Sequence, residues 1–174
     1  VVLLFNKPKD VTSTTDKKDK DNIIDYINYP ERIFPIGRLD KDSTGLILLT
    51  NNGDLVNECL RVENGHEKEY VVSVDKNITH DFLNKMSKGV TIYNPVTDRN
   101  VVTLPCDIRK TGKNRFNIIL KQGYNRQIRR MCAALGYHVV SLNRIRFMHL
   151  YLDVEPGKYR LLTPSEIEKL IRKK

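Results

Sequence analysis

Cysteine and histidine are scarce in this sequence, and their scarcity excludes several kinds of site. The 174 residues include three cysteines and four histidines, with no Cys-x-x-Cys pair. An odd number of scattered thiols predicts free cysteines in a reducing cytoplasm rather than a disulfide framework. The histidines lack the spacing of metal ligands, so we expect no metal site.

Long apolar runs are also missing. No hydrophobic stretch approaches the roughly 20 residues that a membrane-spanning helix needs. The apolar start, Val1 to Phe5, is too short for a signal peptide and has no basic flank before it. The chain begins without methionine, so we expect its start to be trimmed. The 40% of hydrophobic residues is ordinary for a globular protein, and the length of 174 residues predicts one domain or two subdomains.

Acidic residues are absent from a long part of the second half of the chain. The whole sequence has 30 Lys and Arg against 21 Asp and Glu, a net charge of +9. Between Ile108 and Leu152 there is no acid, and the bases are Arg109, Lys110, Lys113, Arg115, Lys121, Arg126, Arg129, Arg130, Arg144 and Arg146. Such segregation favours a polyanionic partner, nucleic acid first. A generic basic protein is the alternative.

What is present is organised around the stretch from Pro35 to Thr50. Its second half, Leu46 to Leu49, is wholly apolar and is bounded by turn residues, which predicts a strand buried on both faces. Its first half is a polar loop with two acids and two bases. Such a loop places a carboxylate at the rim of a rigid sheet, where a nucleophile or general base is useful. A solvated surface turn is the alternative.

This loop closely resembles the catalytic motif of the pseudouridine synthases that modify ribosomal RNA. The resemblance rests on the segments GRLD, from Gly37 to Asp40, and STGLILLTNNG, from Ser43 to Gly53. It implies that Asp40 is the catalytic residue. Arg38, two residues before Asp40 on the same loop, is our candidate for holding the RNA open where the target uridine has left its stack.

Two other segments resemble further motifs of the same family. Lys7-Pro8 and the Ser/Thr-rich turn after it resemble the first motif, in which Gly usually stands in place of Asp10. Lys68 and Tyr70 resemble the second, and the alternation that starts at Tyr70 predicts a strand. The resemblance implies that Tyr70 stacks on the target base. Without the resemblance, the sequence indicates only a packing role for Tyr70 and a surface position for Lys68.

The segment Gly123 to Tyr137 resembles the third motif nearly letter for letter. It predicts a helix, because its apolar residues form one stripe: Ile128, Met131, Cys132 and Leu135. Arg126 and Arg130 fall on the opposite face, and Arg129 falls at the edge of the stripe. An arginine beside the core needs an anionic partner. In the family this arginine pairs with the catalytic aspartate, so Asp40 is our candidate; a phosphate-gripping basic helix is the alternative.

The sequence also predicts the remaining elements. Val139 to Phe147 predicts a strand that resembles the family's Leu-x-Arg-x-Arg ending, and many members carry Gly in place of Met148. This version resembles the large-subunit type designated F. The other expected elements are a helix capped by Asn22, helices over 54–61, 79–89 and 164–174, and strands around Asn94-Pro95, over 116–120 and within 156–163.

The resemblance implies an α+β pseudouridine synthase fold, with a mixed, mostly antiparallel sheet flanked by helices and a central catalytic cleft. We expect residues 1–174 to be the catalytic domain, without the S4-like RNA-binding domain that commonly precedes it. We expect a monomer that uses no cofactor and acts on 23S-type ribosomal RNA, with tRNA left open. The predicted catalytic residues are Asp40, Tyr70 and Arg129, and the predicted RNA-binding residues are Arg38, Lys68, Asn125, Arg126, Arg130, Arg144 and Arg146. A non-catalytic RNA-binding module of ribosome assembly is the alternative function.

Overall fold

A computed structural model describes residues 1–63 and 66–171. The chain divides into two compact units, Val1–Asn64 with Asn143–Lys174, and Gly65–Leu142. The elements are, in order, β1 (Val2–Lys7), α1 (Ile23–Ile27), β2 (Phe34–Ile36), β3 (Thr44–Thr50), α2 (Gly53–Glu63), β4 (Lys68–Val74), α3 (His80–Lys88), β5 (Thr91–Asn94), β6 (Arg99–Val102), β7 (Asp107–Gly112), β8 (Arg115–Leu120), α4 (Gln127–Ala134), β9 (Val139–Phe147), β10 (Leu150–Tyr151), β11 (Tyr159–Leu161) and α5 (Pro164–Ile171).

The first unit is built on a sheet in which β1 lies between β11 and β3, antiparallel to both. The other edge of β3 is shared by two strands. Strand β2 pairs antiparallel with its second half, and β9 pairs parallel with its start, where Gly45 lies opposite Arg144. The start of β3 is therefore paired with β1 on one edge and with β9 on the other. The loop before β3 emerges from this well-anchored part of the unit.

Both faces of this sheet are covered, which explains the continuous apolar runs of β1 and β3. One face packs Leu4 and Leu48 with the inward side of α2 and with Leu170 of α5. The other packs Phe5 and Ile47 with α1 and the chain around it. A strand that is buried on both faces cannot alternate between polar and apolar residues. The buried strands predicted at 1–5 and 46–49 are confirmed.

The second unit is a three-stranded antiparallel sheet, in the order β4–β8–β7, and a separate β5–β6 hairpin. One face of the sheet packs against the apolar sides of α3 and α4 in a single core cluster that includes Phe82, Phe116, Ile118 and Met131. Of the described elements, the sequence reasoning missed β7, whose burial follows no clean alternation, and the short strands β2 and β10.

The predicted α+β class, with a mostly antiparallel sheet and flanking helices, is confirmed by this architecture. The Asn22 side chain accepts a hydrogen bond from Asp25 N at 2.8 Å, as expected of an N-cap. Helix α1 ends at Ile27, before the left-handed C-cap residue Asn28, rather than at Pro30. The predicted terminal helix is observed as Pro164–Ile171, and positions 172–174 lie outside the described residues. No helix in the described ranges is long and apolar enough to span a membrane.

Two positions where this chain departs from the family's glycine have left-handed backbone. Asp10 has φ 71° and Met148 has φ 53°. Glycine adopts this region at little cost, whereas other L-residues enter it with some strain. The usual glycine at both positions is therefore explained by backbone geometry, and this chain keeps that geometry with a side chain in place.

Candidate active site

The loop that carries Asp40 is anchored by its neighbour Leu39. Leu39 is 6% exposed and packs in the core cluster that contains Phe5 and Ile47. Arg38, on the other side of Leu39, is exposed, and Asp40 is half-buried. Burying one apolar residue of the loop therefore presents the adjacent carboxylate at the protein surface.

The backbone on either side of the Asp40 carboxylate is also hydrogen-bonded. Ser43 N donates to Asp40 O at 3.0 Å, which closes a tight turn. Asp10 N donates to Lys41 O at 2.8 Å, and Lys41 Nζ forms an ion pair with Asp21 at 3.0 Å. The loop of the first motif thus contacts the Asp40 loop directly, which places a carboxylate on rigid backbone.

Lys7, at the end of β1, is fully buried under this loop. Its Nζ donates to Pro8 O at 2.9 Å and to Lys41 O at 3.2 Å. A buried ammonium group needs such acceptors, because it has lost its water shell. The lysine side chain therefore joins the end of β1 to the residue that follows Asp40.

Burial lowers the pKa of Lys7 from 10.5 to about 8, and this is the largest influence on the amine. The carboxylates of Asp10, Asp42 and Asp40 act in the opposite direction, and the Lys41 ammonium adds to the lowering. The amine is therefore held beside three carboxylates in a partly desolvated place, and it loses its proton more readily than an exposed lysine does.

This buried amine predicts a pH dependence of stability. A folded-state pKa of about 8, below the unfolded 10.5, means that the unfolded chain binds more protons across this interval. Lys7 therefore makes the free energy of unfolding increase as pH rises from about 8 to 10.5. We expect Lys7→Met to lack this gain, as measured by urea unfolding at a series of pH values.

The matched control is Lys9→Met, which removes an exposed lysine two positions away. We expect it to keep the pH dependence of the wild type. Equal pH dependence in the wild type and Lys7→Met would contradict the prediction.

Two predicted RNA-binding residues of β9 are buried in the first unit. Arg144 is 4% exposed and its Nε donates to Leu46 O at 2.8 Å. Arg146 is 8% exposed and donates to Met148 O at 2.8 Å. These guanidinium groups stabilise the sheet and the turn after it, so their burial weighs against direct contact with phosphates.

The second-motif residues lie on β4 of the second unit. Tyr70 is half-buried and packs against that unit's core cluster. Lys68 is 2% exposed, so its burial also weighs against an RNA contact. The strand predicted from Tyr70 is confirmed, and it starts at Lys68.

The third-motif helix begins one residue later than its sequence pattern suggested. Arg126 is the N-cap, with left-handed backbone at φ 48°, rather than a residue on the helix face. Asn125 is exposed and accepts hydrogen bonds from Arg130 through its backbone and side-chain oxygens, each at 3.0 Å. Arg129 is half-buried. Its predicted pairing with Asp40 stays a prediction, because the two residues belong to different units.

Comparison with protein families identifies the family to which this chain belongs. The family model described as RNA pseudouridylate synthase matches residues 1–134. The chain belongs to this family. No group of three or more His, Cys, Asp or Glu residues within the described ranges could hold a metal ion.

Individual pseudouridylate synthases show the same relationship. The chain is 50% identical over 173 residues to the dual-specificity RNA pseudouridine synthase RluF of Escherichia coli strain K12. The aligned region covers 99% of this chain but only 58% of the length of that protein. The chain is 34% identical to the ribosomal large subunit pseudouridine synthase B of Bacillus subtilis strain 168, over 98% of this chain and 71% of that protein. A crystal structure of a pseudouridylate synthase superposes with a TM-score of 0.85 at 31% identity, covering 97% of this chain and 73% of that one.

Two residues of the first pseudouridylate synthase motif were given no role by the sequence reasoning. Lys7 and Ser13 are both buried and both contact the Asp40 loop. A lysine so close to the apolar run Val1 to Phe5 was a usable signal for Lys7. No local pattern could have revealed Ser13, because its contact joins residues 26 positions apart.

Proposed function

We propose that this chain is an RNA pseudouridine synthase that isomerises a specific uridine of large-subunit ribosomal RNA through Asp40. The observation that carries the proposal is the half-buried Asp40 carboxylate on a braced loop, in a chain that belongs to the family. The relative from Escherichia coli is called dual-specificity. This supports a second RNA substrate for the present protein, and tRNA is our candidate.

The reaction breaks the N1–C1′ bond of uridine, turns the base over and joins C1′ to C5. C5 then loses its proton to solvent, and N1 takes one up. Atoms and electrons balance within the nucleotide, so no oxidant, phosphate donor or cofactor is consumed. The Asp40 carboxylate can add to C6 of the uracil, attack C1′, or assist the loss of a C2′ proton. Each route requires the ionised carboxylate, in a fixed direction.

We propose that Tyr70 and Arg129 serve the same reaction, Tyr70 against the base and Arg129 in support of the anionic carboxylate. The RNA would be held by arginines outside the buried set, with Arg38 the first candidate because it is exposed and lies two residues before Asp40. The target uridine must leave its stack, at a cost of a few kcal/mol. Contacts between basic side chains and phosphates would offset this cost.

We further propose that the protein acts as a monomer in the cytoplasm. The free cysteines of the described chain, Cys59, Cys106 and Cys132, support a reducing compartment. Burial raises the pKa of Cys132 to about 12 and that of Cys106 to about 11, so these thiols are held in the unreactive protonated form.

Tritium release tests the proposal. The substrate is a transcript of large-subunit rRNA, which carries no prior modification. It is labelled with tritium at uridine C5 and incubated with the protein. We expect release of tritium at a single site, together with salt-dependent binding. The non-catalytic module predicts binding with no release. Binding without release, even when the S4-like domain of a relative is fused before Val1, would favour that module.

A further inference from the structure

We propose that Ser13 is a positioning residue for Asp40, and that its hydroxyl sets the direction of the carboxylate by holding the peptide group before it. This inference rests on the proposed function. Ser13 belongs to the turn of the first motif and touches no part of the substrate in this proposal. Its effect on the reaction is transmitted through the backbone of Leu39.

The Ser13 hydroxyl is bonded to both polar backbone atoms of one residue. Its Oγ donates to Leu39 O at 3.0 Å and accepts from Leu39 N at 3.3 Å. Ser13 is 5% exposed and Leu39 is 6% exposed, so neither bond competes with bulk water. Leu39 O belongs to the peptide unit that joins Leu39 to Asp40. Fixing that oxygen fixes the plane from which the Asp40 side chain departs.

Ser13 is itself held by its neighbour Thr12, so it can act as a rigid support. Thr12 N donates to Asp21 O at 2.9 Å, and Ile23 N donates to Thr12 O at 2.9 Å. Ile23 is the fully buried first residue of α1. The segment that carries the hydroxyl is therefore attached to the helix and to the core, in addition to its contacts with the loop that it supports.

The two sides of Asp40 are held by different groups of the first motif. The Ser13 hydroxyl holds the residue before Asp40, whereas Asp10 N and Lys7 Nζ hold the carbonyl of Lys41 after it. A carboxylate between two fixed residues has few backbone orientations open to it. Orientation of a catalytic group is worth a large factor in rate, and misplacement by about 1 Å costs about 100-fold.

The competing explanation is that Ser13 only stabilises the fold. The same unit offers a matched hydroxyl with which to separate the two roles. Thr50 Oγ1 donates to Val1 O at 2.6 Å and accepts from Asn52 N at 3.2 Å, and Thr50 is fully buried. It lies at the end of β3 that is remote from the Asp40 loop. A purely stabilising role predicts that losing either hydroxyl has the same effect on turnover.

The test compares Ser13→Ala with Thr50→Val in the tritium-release assay, with melting temperature recorded for both. We expect comparable losses of melting temperature. We expect kcat of Ser13→Ala to fall by up to about 100-fold with KM within about twofold of the wild type, because RNA binding does not depend on the direction of the carboxylate. We expect Thr50→Val to keep the wild-type kcat at temperatures where it is folded.

A third variant, Ser13→Thr, restores the hydroxyl and should recover most of the lost kcat. A kcat of Ser13→Ala within twofold of the wild type would overturn the inference, as would an equal loss in Thr50→Val. If the extra methyl group of Ser13→Thr unfolds the protein, the comparison of the alanine and valine variants still decides. If the wild type releases no tritium, both the proposed function and this inference are contradicted. If the wild type releases tritium and Ser13→Ala releases it equally fast, only this inference is contradicted.

Discussion

Asp40→Asn is expected to abolish tritium release while leaving folding and RNA affinity at the wild-type level. Asparagine keeps the size and shape of the side chain, so the packing of Leu39 and the turn to Ser43 are undisturbed. It lacks the anionic oxygen that addition to C6, attack on C1′ or loss of the C2′ proton requires. We expect the single-turnover rate to fall by at least about 10³-fold.

The matched control for this prediction is Asp42→Asn. Asp42 lies two positions along the same loop, is also half-buried, and also raises the pKa of the Lys7 amine. The change in charge is therefore the same in both variants, and only Asp40 has the proposed chemical role. Turnover by Asp40→Asn, or an equal loss in Asp42→Asn, would remove Asp40 from the role of nucleophile or base.

Gly45→Ala is expected to cause the largest loss of stability of any single methyl group added to this loop and strand. A Cβ at this position would lie 2.2 Å from Arg144 O and 2.6 Å from Arg144 N, and the backbone has φ +116°. Both of these atoms belong to the backbone of β9, so rotation of a side chain, including that of Asn143 whose Oδ1 lies 2.7 Å away, cannot relieve the clash. Strands β3 and β9 would have to separate where they pair in parallel. We expect the free energy of unfolding to fall by at least about 3 kcal/mol.

Urea unfolding measures this loss, and Gly53→Ala provides the control. A Cβ at Gly53 meets nothing within 4 Å, and Gly53 is the first residue of α2. Alanine favours a helix over glycine by up to about 1 kcal/mol. We therefore expect Gly53→Ala to be as stable as the wild type or slightly more stable. Similar unfolding curves for the two alanine variants would show that the approach of β9 to Gly45 is not a constraint.

Local sequence determined most of the secondary structure of this protein, because the signals involved act over a few residues. Strand β9 has the predicted bounds, Val139–Phe147. The helix predicted over 79–89 is observed as α3, His80–Lys88, and Thr79 is its N-cap, accepting from Phe82 N at 3.1 Å. Gly136 follows α4 with φ 82°, the left-handed conformation that a glycine adopts where it ends a helix. The sequence by itself also determined the family, through three motifs whose residues are adjacent in the chain.

Tertiary structure alone decided which basic residues are exposed. Lys68, Arg144 and Arg146 read as RNA contacts in the sequence, yet all three are buried. A charge pattern does not say which face of a strand is covered, and a buried guanidinium is tolerated when a backbone oxygen accepts from it, as Leu46 O does from Arg144.

The support of Asp40 was likewise decided by the tertiary structure. Lys7 contacts the backbone of Lys41 because β1 pairs antiparallel with β3, which brings the end of β1 to the start of β3. Ser13 reaches Leu39 because the turn after β1 is attached to α1. These contacts join residues 34 and 26 positions apart. They depend on how the sheet and helix are assembled, which no local pattern of residues encodes.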